Sequence, residues 1–310
     1  MADDVVVALD VGGTGIKCAL VDAAGQVRHS ERRATGRERG SEAVVTTILE
    51  ITEGLVRTAE RTGLRPEGIG IVVPGVVDEA AGVATWSANV GFRDVPLRQL
   101  VTERIGLPTA LGHDVRVGGL AEARLGAGRG YRHVLFVAIG TGIAAAHVVD
   151  GTAFAGAHGA AGELGHVVIR PGGPACGCGL RGCLEAIASA AAVSRRYAER
   201  SPAGTPTGAD RVAALAAAGD PTAAGVWGEA IDALADGLLT GLTLFDPEAV
   251  VVGGGLAEAG DALLNPLGAA LRERLRFQRE PALMRAALGD EAGCLGAGLI
   301  ARDALNGVPA

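Results

Sequence analysis

Apolar residues along the chain fall in short blocks that end at glycines. Residues 5–9 form an unbroken β-branched and aliphatic run that stops at Asp10 and a glycine turn, then resumes over 18–21 before Ala24-Gly25. This is the pattern of a strand, a turn and a second strand. Over 42–61, apolar side chains at Val45, Ile48, Leu49, Leu55 and Val56 make a helical stripe, and Gly63 supplies the stop. A buried strand over 72–77 is broken by Pro74-Gly75. A helix over 97–105, a short strand over 108–111 and a helix over 115–125 follow.

At residue 134 the pattern starts again. An apolar run reaches Gly140-Thr141-Gly142-Ile143 and continues to Val148-Val149-Asp150-Gly151, just as Gly13-Thr14-Gly15-Ile16 precedes Val21-Asp22. The same string at the same place in two strand-turn-strand units predicts two similar half-domains facing each other, with chance in a glycine-rich chain as the alternative. Residues 184–245 read as alanine-rich helix interrupted over 201–208. A last strand over 249–252 meets Gly253-Gly254-Gly255, with helices expected from there to the C-terminus. The expected division is an N-terminal α/β lobe over 1–125 and a C-terminal α/β lobe over 126–310, whose final helix is a candidate to return to the first lobe.

Composition narrows the classes. With 310 residues, 48% hydrophobic but only 3% aromatic, the core must be built from small aliphatic side chains. A net charge of -7 disfavours nucleic acid and anionic lipid as partners. The longest uncharged apolar run, 134–146, is too short for a bilayer, and MADDVVVALD has no basic leader region, so a soluble, unprocessed, cytoplasmic chain is expected.

Three constellations carry chemistry. Asp10-Val11-Gly12-Gly13-Thr14-Gly15-Ile16-Lys17 combines an acid at a strand end, bare backbone, a hydroxyl and a cation. Those parts suit a polyphosphate with a hydrated magnesium ion on Asp10. It is not a P-loop, and an ordinary hairpin turn would explain its glycines but not Asp10 and Lys17. Glycine turns at Gly12, Gly140 and Gly253, each after an apolar strand, together favour a nucleotide cleft between lobes. The second constellation is His166 with Cys176, Cys178 and Cys183, three of the chain's five cysteines. Cys-x-Cys is too tight for an easy bridge, so a structural zinc in a Cys3His tetrahedron is preferred over free thiols. Cys18 and Cys294 read as small core residues. Glu163 and Glu185 flank this loop. Rigid carboxylates there suit polyol hydroxyls, while a solvated loop acid and a helix N-terminal acid are the plainer readings. Third, Asp114 stands between a strand and a helix. It is either an N-cap or the base that accepts the proton of an attacking hydroxyl in phosphoryl transfer.

DVGGTGIK, VVPGVVD, GTGI, GAHGAAGELGHVVI, CGCGLRGCLE and VVVGGGL resemble, in order and over nearly the whole chain, the ROK family of repressors and sugar kinases, most closely its actinobacterial-type glucokinases. The resemblance implies a two-lobed α/β fold of the actin, hsp70 and hexokinase type (ribonuclease H-like) with a ligand cleft between lobes. It also implies ATP and magnesium as cofactors and phosphorylation of a sugar hydroxyl, first of all O6 of glucose. Carried over residue by residue, Asp114 is the base and Asp10 the phosphate and magnesium acid, with Gly12, Gly13, Thr14 and Lys17 beside it. Glu163, His166 and Glu185 contact sugar hydroxyls, with one ring nitrogen of His166 on zinc and the other toward sugar. Gly75 and Asn89 lie on the sugar side, Gly140, Thr141 and Gly142 face nucleotide phosphates, and Gly254 and Gly255 face adenosine. Homodimers or homotetramers are implied by family alone.

Two departures stand out. Where the family has Asn-Asp-Ala-Asn, this chain has His113-Asp114-Val115-Arg116, so the base is kept and both amides are lost. The first amide contacts a sugar hydroxyl in the family, which leaves His113 as a different sugar contact and keeps another hexose, an N-acetylhexosamine or a C7 cyclitol open as acceptor. Ala144-Ala145-Ala146 replace glycines after GTGI, either crowding the nucleotide or tightening packing. GTGIK also resembles polyphosphate-using glucokinases, which generally lack the cysteine cluster, so ATP is the expected donor. A sugar-sensing regulator without turnover is the rival reading. Repressors of the family carry an N-terminal helix-turn-helix arm, for which a phosphate strand beginning at Val5 leaves no room.

Overall fold

The computed structural model describes residues 3–202, 204 and 206–308. The chain divides into two compact units, one of Met1–Ala121, Ala155–Ala161 and Asp290–Ala310 and one of Glu122–Phe154 and Gly162–Gly289.

The first unit opens with the hairpin β1 (Asp4–Val11) and β2 (Gly15–Asp22), extended by β3 (Val27–Ala34). Helix α1 (Ser41–Arg61) leads to β4 (Arg65–Val73). The strands β5 (Val76–Asp78), β6 (Val83–Ser87) and β7 (Phe92–Val95) form a small separate sheet, after which come α2 (Leu97–Ile105), β8 (Thr109–His113) and α3 (Asp114–Arg124). The main sheet runs β3-β2-β1-β4-β8, antiparallel in the hairpin and parallel from β1 through β4 to β8. Val5 to Leu9 are fully buried, as expected of a run covered on both faces. Helix α1 buries Val44, Ile48, Ile51, Leu55 and Ala59, while Val45, Leu49 and Val56 border that stripe.

The second unit repeats this plan. Its sheet contains β9 (His133–Ile139), β10 (Ile143–Val149), β11 (Thr152–Ala153), β12 (Ala249–Gly253) and β13 (Ala282–Arg285), in the order β11-β10-β9-β12-β13. Again a hairpin strand pairs in parallel with the next strands. The shared string therefore marks equivalent turns in two sheets of the same strand order. Between β11 and β12 stand α4 (Leu184–Ala188), α5 (Ala190–Arg200), α6 (Ala209–Ala217) and α7 (Pro221–Phe245), with α8 (Asp261–Arg274) after β12. Helix α7 starts where Asp220 accepts a hydrogen bond from the Ala223 N–H at 2.7 Å and Pro221 takes the first helical position. In the interrupting loop, Ala203 and Thr205 lie outside the described residues.

The C-terminal helix α9 (Ala292–Leu305) belongs to the first unit and packs on β1 and β4. Gly70 of β4 permits this approach, because a side chain there would overlap the Ala297 carbonyl.

Several strands escaped the hydrophobic pattern. β13, in a stretch expected to be helical, is a four-residue edge strand, and β3 is a charged edge with Arg28, Arg32 and Arg33 exposed. Edge strands need little apolar surface because only one side pairs. Among the described residues, no helix is long and apolar enough to cross a membrane.

Gly70→Ala should lower the unfolding free energy by about 3 kcal/mol, the upper part of the usual overpacking range, in urea denaturation. An unchanged midpoint would show that α9 does not press on β4.

Candidate functional site

In the first unit, the β1–β2 turn sets an acid opposite a cation. Asp10 pairs in register with Lys17, and Lys17 Nζ lies 3.5 Å from Asp10 Oδ2 and 3.4 Å from Asp290 Oδ1. Burial pushes the Asp10 carboxyl above the ordinary carboxylate range, with Lys17 opposing that shift. The turn is closed by the Gly12 N–H on the Gly15 carbonyl at 2.9 Å. The buried Thr35 braces it from β3's end: its hydroxyl donates to the Gly12 carbonyl at 2.6 Å and its N–H to the Thr14 carbonyl at 3.2 Å. Nothing in the spacing of Thr35 singled it out. Asn89, exposed, brings its carbonyl against Gly13, so the β1–β2 turn and the SANVGF segment meet. Gly75 packs on the Trp86 carbonyl and Ser87, two residues before Asn89.

Asp114 opens α3 directly after β8, at the carboxyl edge of the parallel strands. Its side chain is 34% exposed, and Oδ1 accepts the Val115 N–H at 2.7 Å. The N-terminal capping contact of this helix comes from His113, whose Nδ1 accepts the Arg116 N–H at 3.3 Å. That assigns the ring proton to Nε2, which stands 3.4 Å from Asp114 Oδ1. Burial, with Arg116 adding to it, pushes the His113 pKa down to about 3, so this is a neutral imidazole beside a carboxylate and not an ion pair. Arg116 is turned inward, 2% exposed, onto Glu79 and the Gly159 carbonyl.

In the second unit, the β9–β10 turn is closed by the Gly140 N–H on the Gly142 carbonyl at 2.9 Å. The carboxylate of Glu185 lies over Gly142, and its Oε2 accepts the Ile143 N–H at 3.0 Å. Two motifs assigned separately, the turn Gly140-Thr141-Gly142 and Glu185, are thus one piece of structure. Gly254 lies against the Ile139 backbone at the carboxyl end of the neighbouring parallel strand, followed by Gly255, so both glycine turns share one sheet edge. Ala144, Ala145 and Ala146 are inside β10, paired with β9, and the Ala145 N–H donates to the Gly162 carbonyl at 2.7 Å. Glu163 follows immediately.

The loop after Glu163 gathers His166, Cys176, Cys178 and Cys183, whose ligand atoms all lie within 4.8 Å of one another. His166 Nδ1 is 3.6 Å from Cys176 Sγ, and the Sγ atoms of Cys178 and Cys183 are 3.7 Å apart. Two sulfurs each 2.3 Å from a tetrahedral zinc stand about 3.8 Å apart, and a sulfur and an imidazole nitrogen about 3.6 Å. The donor set fits zinc in both type and spacing. His166 Nε2, on the far side of the ring, is 3.8 Å from Glu163 Oε2. Bridges Val168↔Cys183 and Ala175↔Arg181 are the only strand-like pairing in this loop among the described residues.

Comparison with known proteins gives a consistent result. The profile of the ROK family matches residues 6–304. A glucokinase of Thermotoga maritima is 34% identical over 97% of this chain and 98% of its own. A ROK hexokinase from Thermus thermophilus superposes with a TM-score of 0.86 at 37% identity, over 98% of this chain and 99% of that one. A ROK family glucokinase from Streptomyces griseus, solved in complex with glucose and AMPPNP, superposes with a TM-score of 0.81 at 30% identity, over 96% and 99%.

The state of His113 sets a pH dependence. The unfolded chain protonates this ring below about pH 6.5, whereas the folded chain does so only near pH 3. Stability from this group is complete above pH 6.5 and falls as pH drops toward 3, by at most about 1.4 kcal/mol per unit. Thermal unfolding of His113→Asn between pH 4 and 7 should therefore show a shallower decline than the parent protein, and parallel curves would contradict the assignment.

Proposed function

The chain belongs to the ROK family and is an ATP-dependent sugar kinase; from that premise we propose that its acceptor is glucose, phosphorylated at a primary hydroxyl in the cytoplasm. The observation that carries this is the near-full-length similarity to a glucokinase solved with glucose and an ATP analogue, together with a half-exposed Asp114 at the start of α3. Five free cysteines with no disulfide among the described residues suit a reducing compartment.

Asp114 accepts the proton of the attacking hydroxyl as its oxygen bonds to the γ-phosphorus and the bond to ADP breaks. The turn amides of Gly12, Gly13 and Thr14 and the Lys17 ammonium receive phosphate oxygens at one strand edge. Gly140, Thr141, Gly142, Gly254 and Gly255 offer bare backbone to the nucleotide at another. Magnesium, which Asp10 would hold, supplies charge neutralisation for the moving phosphoryl group. Glu163, His166 and Glu185 orient sugar hydroxyls. Zinc, which His166, Cys176, Cys178 and Cys183 would hold, stiffens the loop that carries the first two.

One observation supports a second acceptor class. The His113 ring is committed to the start of α3 and to Asp114, so it does not replace the amide that the family uses on a sugar hydroxyl. An acceptor lacking or inverting that hydroxyl, such as another hexose, an N-acetylhexosamine or a cyclitol, then loses little.

An ADP-coupled assay over glucose, mannose, fructose, N-acetylmannosamine and a C7 cyclitol should give the highest kcat/KM with glucose. A clear preference for another acceptor overturns glucose, and sugar binding without ADP release supports the regulator. Asp114→Ala should lower kcat by about 10³-fold with the fold intact, within the range of general-base contributions. Purified protein should contain about one zinc per chain, the stoichiometry of a closed four-ligand site. Cys178→Ser should lose that zinc and lower the thermal midpoint; protein free of zinc at full stability would refute the metal.

A further inference from the structure

Behind Asp114 lies a buried ion pair that no glycine or cysteine motif announced. Arg116, in the first turn of α3, donates from Nε and Nη2 to Glu79 Oε1 at 3.3 and 3.1 Å. The same oxygen accepts the His113 N–H at 2.9 Å. One carboxylate oxygen thereby holds the residue before Asp114 through its backbone and the residue two after it through its guanidinium. The third guanidinium nitrogen, Nη1, donates to the Gly159 carbonyl at 2.8 Å.

Gly159 lies in the segment 155–161, which belongs to the first unit although the chain on both sides of it belongs to the second. Its φ of +68° suits glycine, and a side chain there would overlap the Val77 carbonyl of β5. The segment is held on one side by β5 and on the other by Arg116. Four residues beyond Gly159 comes Glu163, and Gly162 between them bonds to β10 through the Ala145 N–H.

We propose that Glu79 and Arg116 are positioning residues of the kinase: an internal clamp that fixes the backbone on both sides of Asp114 and ties the segment leading to Glu163 to the helix that bears the base. Glu79 is 14% exposed and Arg116 2%, so neither has the solvent access of a surface ion pair. A planar guanidinium with three nitrogens engaged has a directional role that an ammonium cannot fill. The functional part of the proposal rests on the sugar-kinase reading, in which Asp114 is the base and Glu163 a sugar contact.

Removing Arg116 alone leaves Glu79 buried and unpaired, so the decisive variant is the neutral double substitution E79Q/R116M, which keeps an acceptor for the His113 N–H. Hydrogen exchange should accelerate at least tenfold at amides within 156–161 and stay unchanged in β9, β10 and β12. In steady-state kinetics, KM for the sugar should rise at least fivefold and kcat fall at least tenfold, while KM for ATP stays within twofold. Loss of folded protein alone would move neither KM. Arg116→Lys, which keeps the charge but cannot reproduce the three-nitrogen contact with Glu79 and the Gly159 carbonyl, serves as the test variant, on the same criteria, if the double variant does not fold. Exchange within 156–161 that stays at the parent rate, or a sugar KM within twofold of the parent, overturns the clamp. If the parent protein phosphorylates no sugar at all, the kinase reading fails and the exchange measurement alone decides whether the clamp exists.

Discussion

The arrangement that everything else depends on is the parallel pairing of the first hairpin strand of each unit with a strand from beyond the hairpin. β1 pairs with β4 and β9 with β12, so a tight glycine turn ends up at the carboxyl edge of parallel strands. Peptide groups at such an edge have no further strand partner, and ligands of open α/β sheets bind there. The turn after β1 carries Asp10 and Lys17 to this edge. The turn after β9 carries Gly140 to Gly142, and β12 brings Gly254 beside it. Side chains small enough to let helices lie close are part of the same arrangement, as Gly70 under α9 illustrates.

Chemistry at these edges is set by what each carboxylate touches. Asp10 is buried against a cation and gains proton affinity. Asp114 stands at a helix start beside a neutral histidine, and Glu185 is pinned by a backbone N–H over a glycine turn. Glu79 is enclosed and spent on the backbone and guanidinium around it. Four acids of the same chemical type thus have four roles, and burial and donor count separate them. The histidines divide likewise: His166 points one nitrogen at the thiols and the other at Glu163, whereas His113 uses one on a helix N–H and aims the other at Asp114.

Much of this was legible in the order of residues. Apolar runs bounded by glycine located β1, β2, β9 and β12, because a strand buried on both faces needs an unbroken hydrophobic stretch, whereas the strand expected over 72–77 caught only the end of β4 and the start of β5. The repeated Gly-Thr-Gly-Ile string marked equivalent turns, and the close spacing of Cys176, Cys178 and Cys183 marked a donor cluster, because such local geometry leaves few alternatives. The edge strands β3 and β13 were not legible, since β3 is charged and largely exposed and the apolar run of β13 is only three residues long, too short to tell strand from helix.

What the sequence determined by itself was therefore local: strand cores, turn positions, the metal-type donor set and an acid at a strand-helix junction. Tertiary structure alone decided which distant groups share a contact. Thr35 on Gly12, Glu185 on Ile143, Arg116 on Glu79 and Arg116 on Gly159 are separated by 23, 42, 37 and 43 positions along the chain. No short-range pattern encodes such pairs, because the direction of a buried polar side chain depends on which backbone groups the completed sheet leaves without partners.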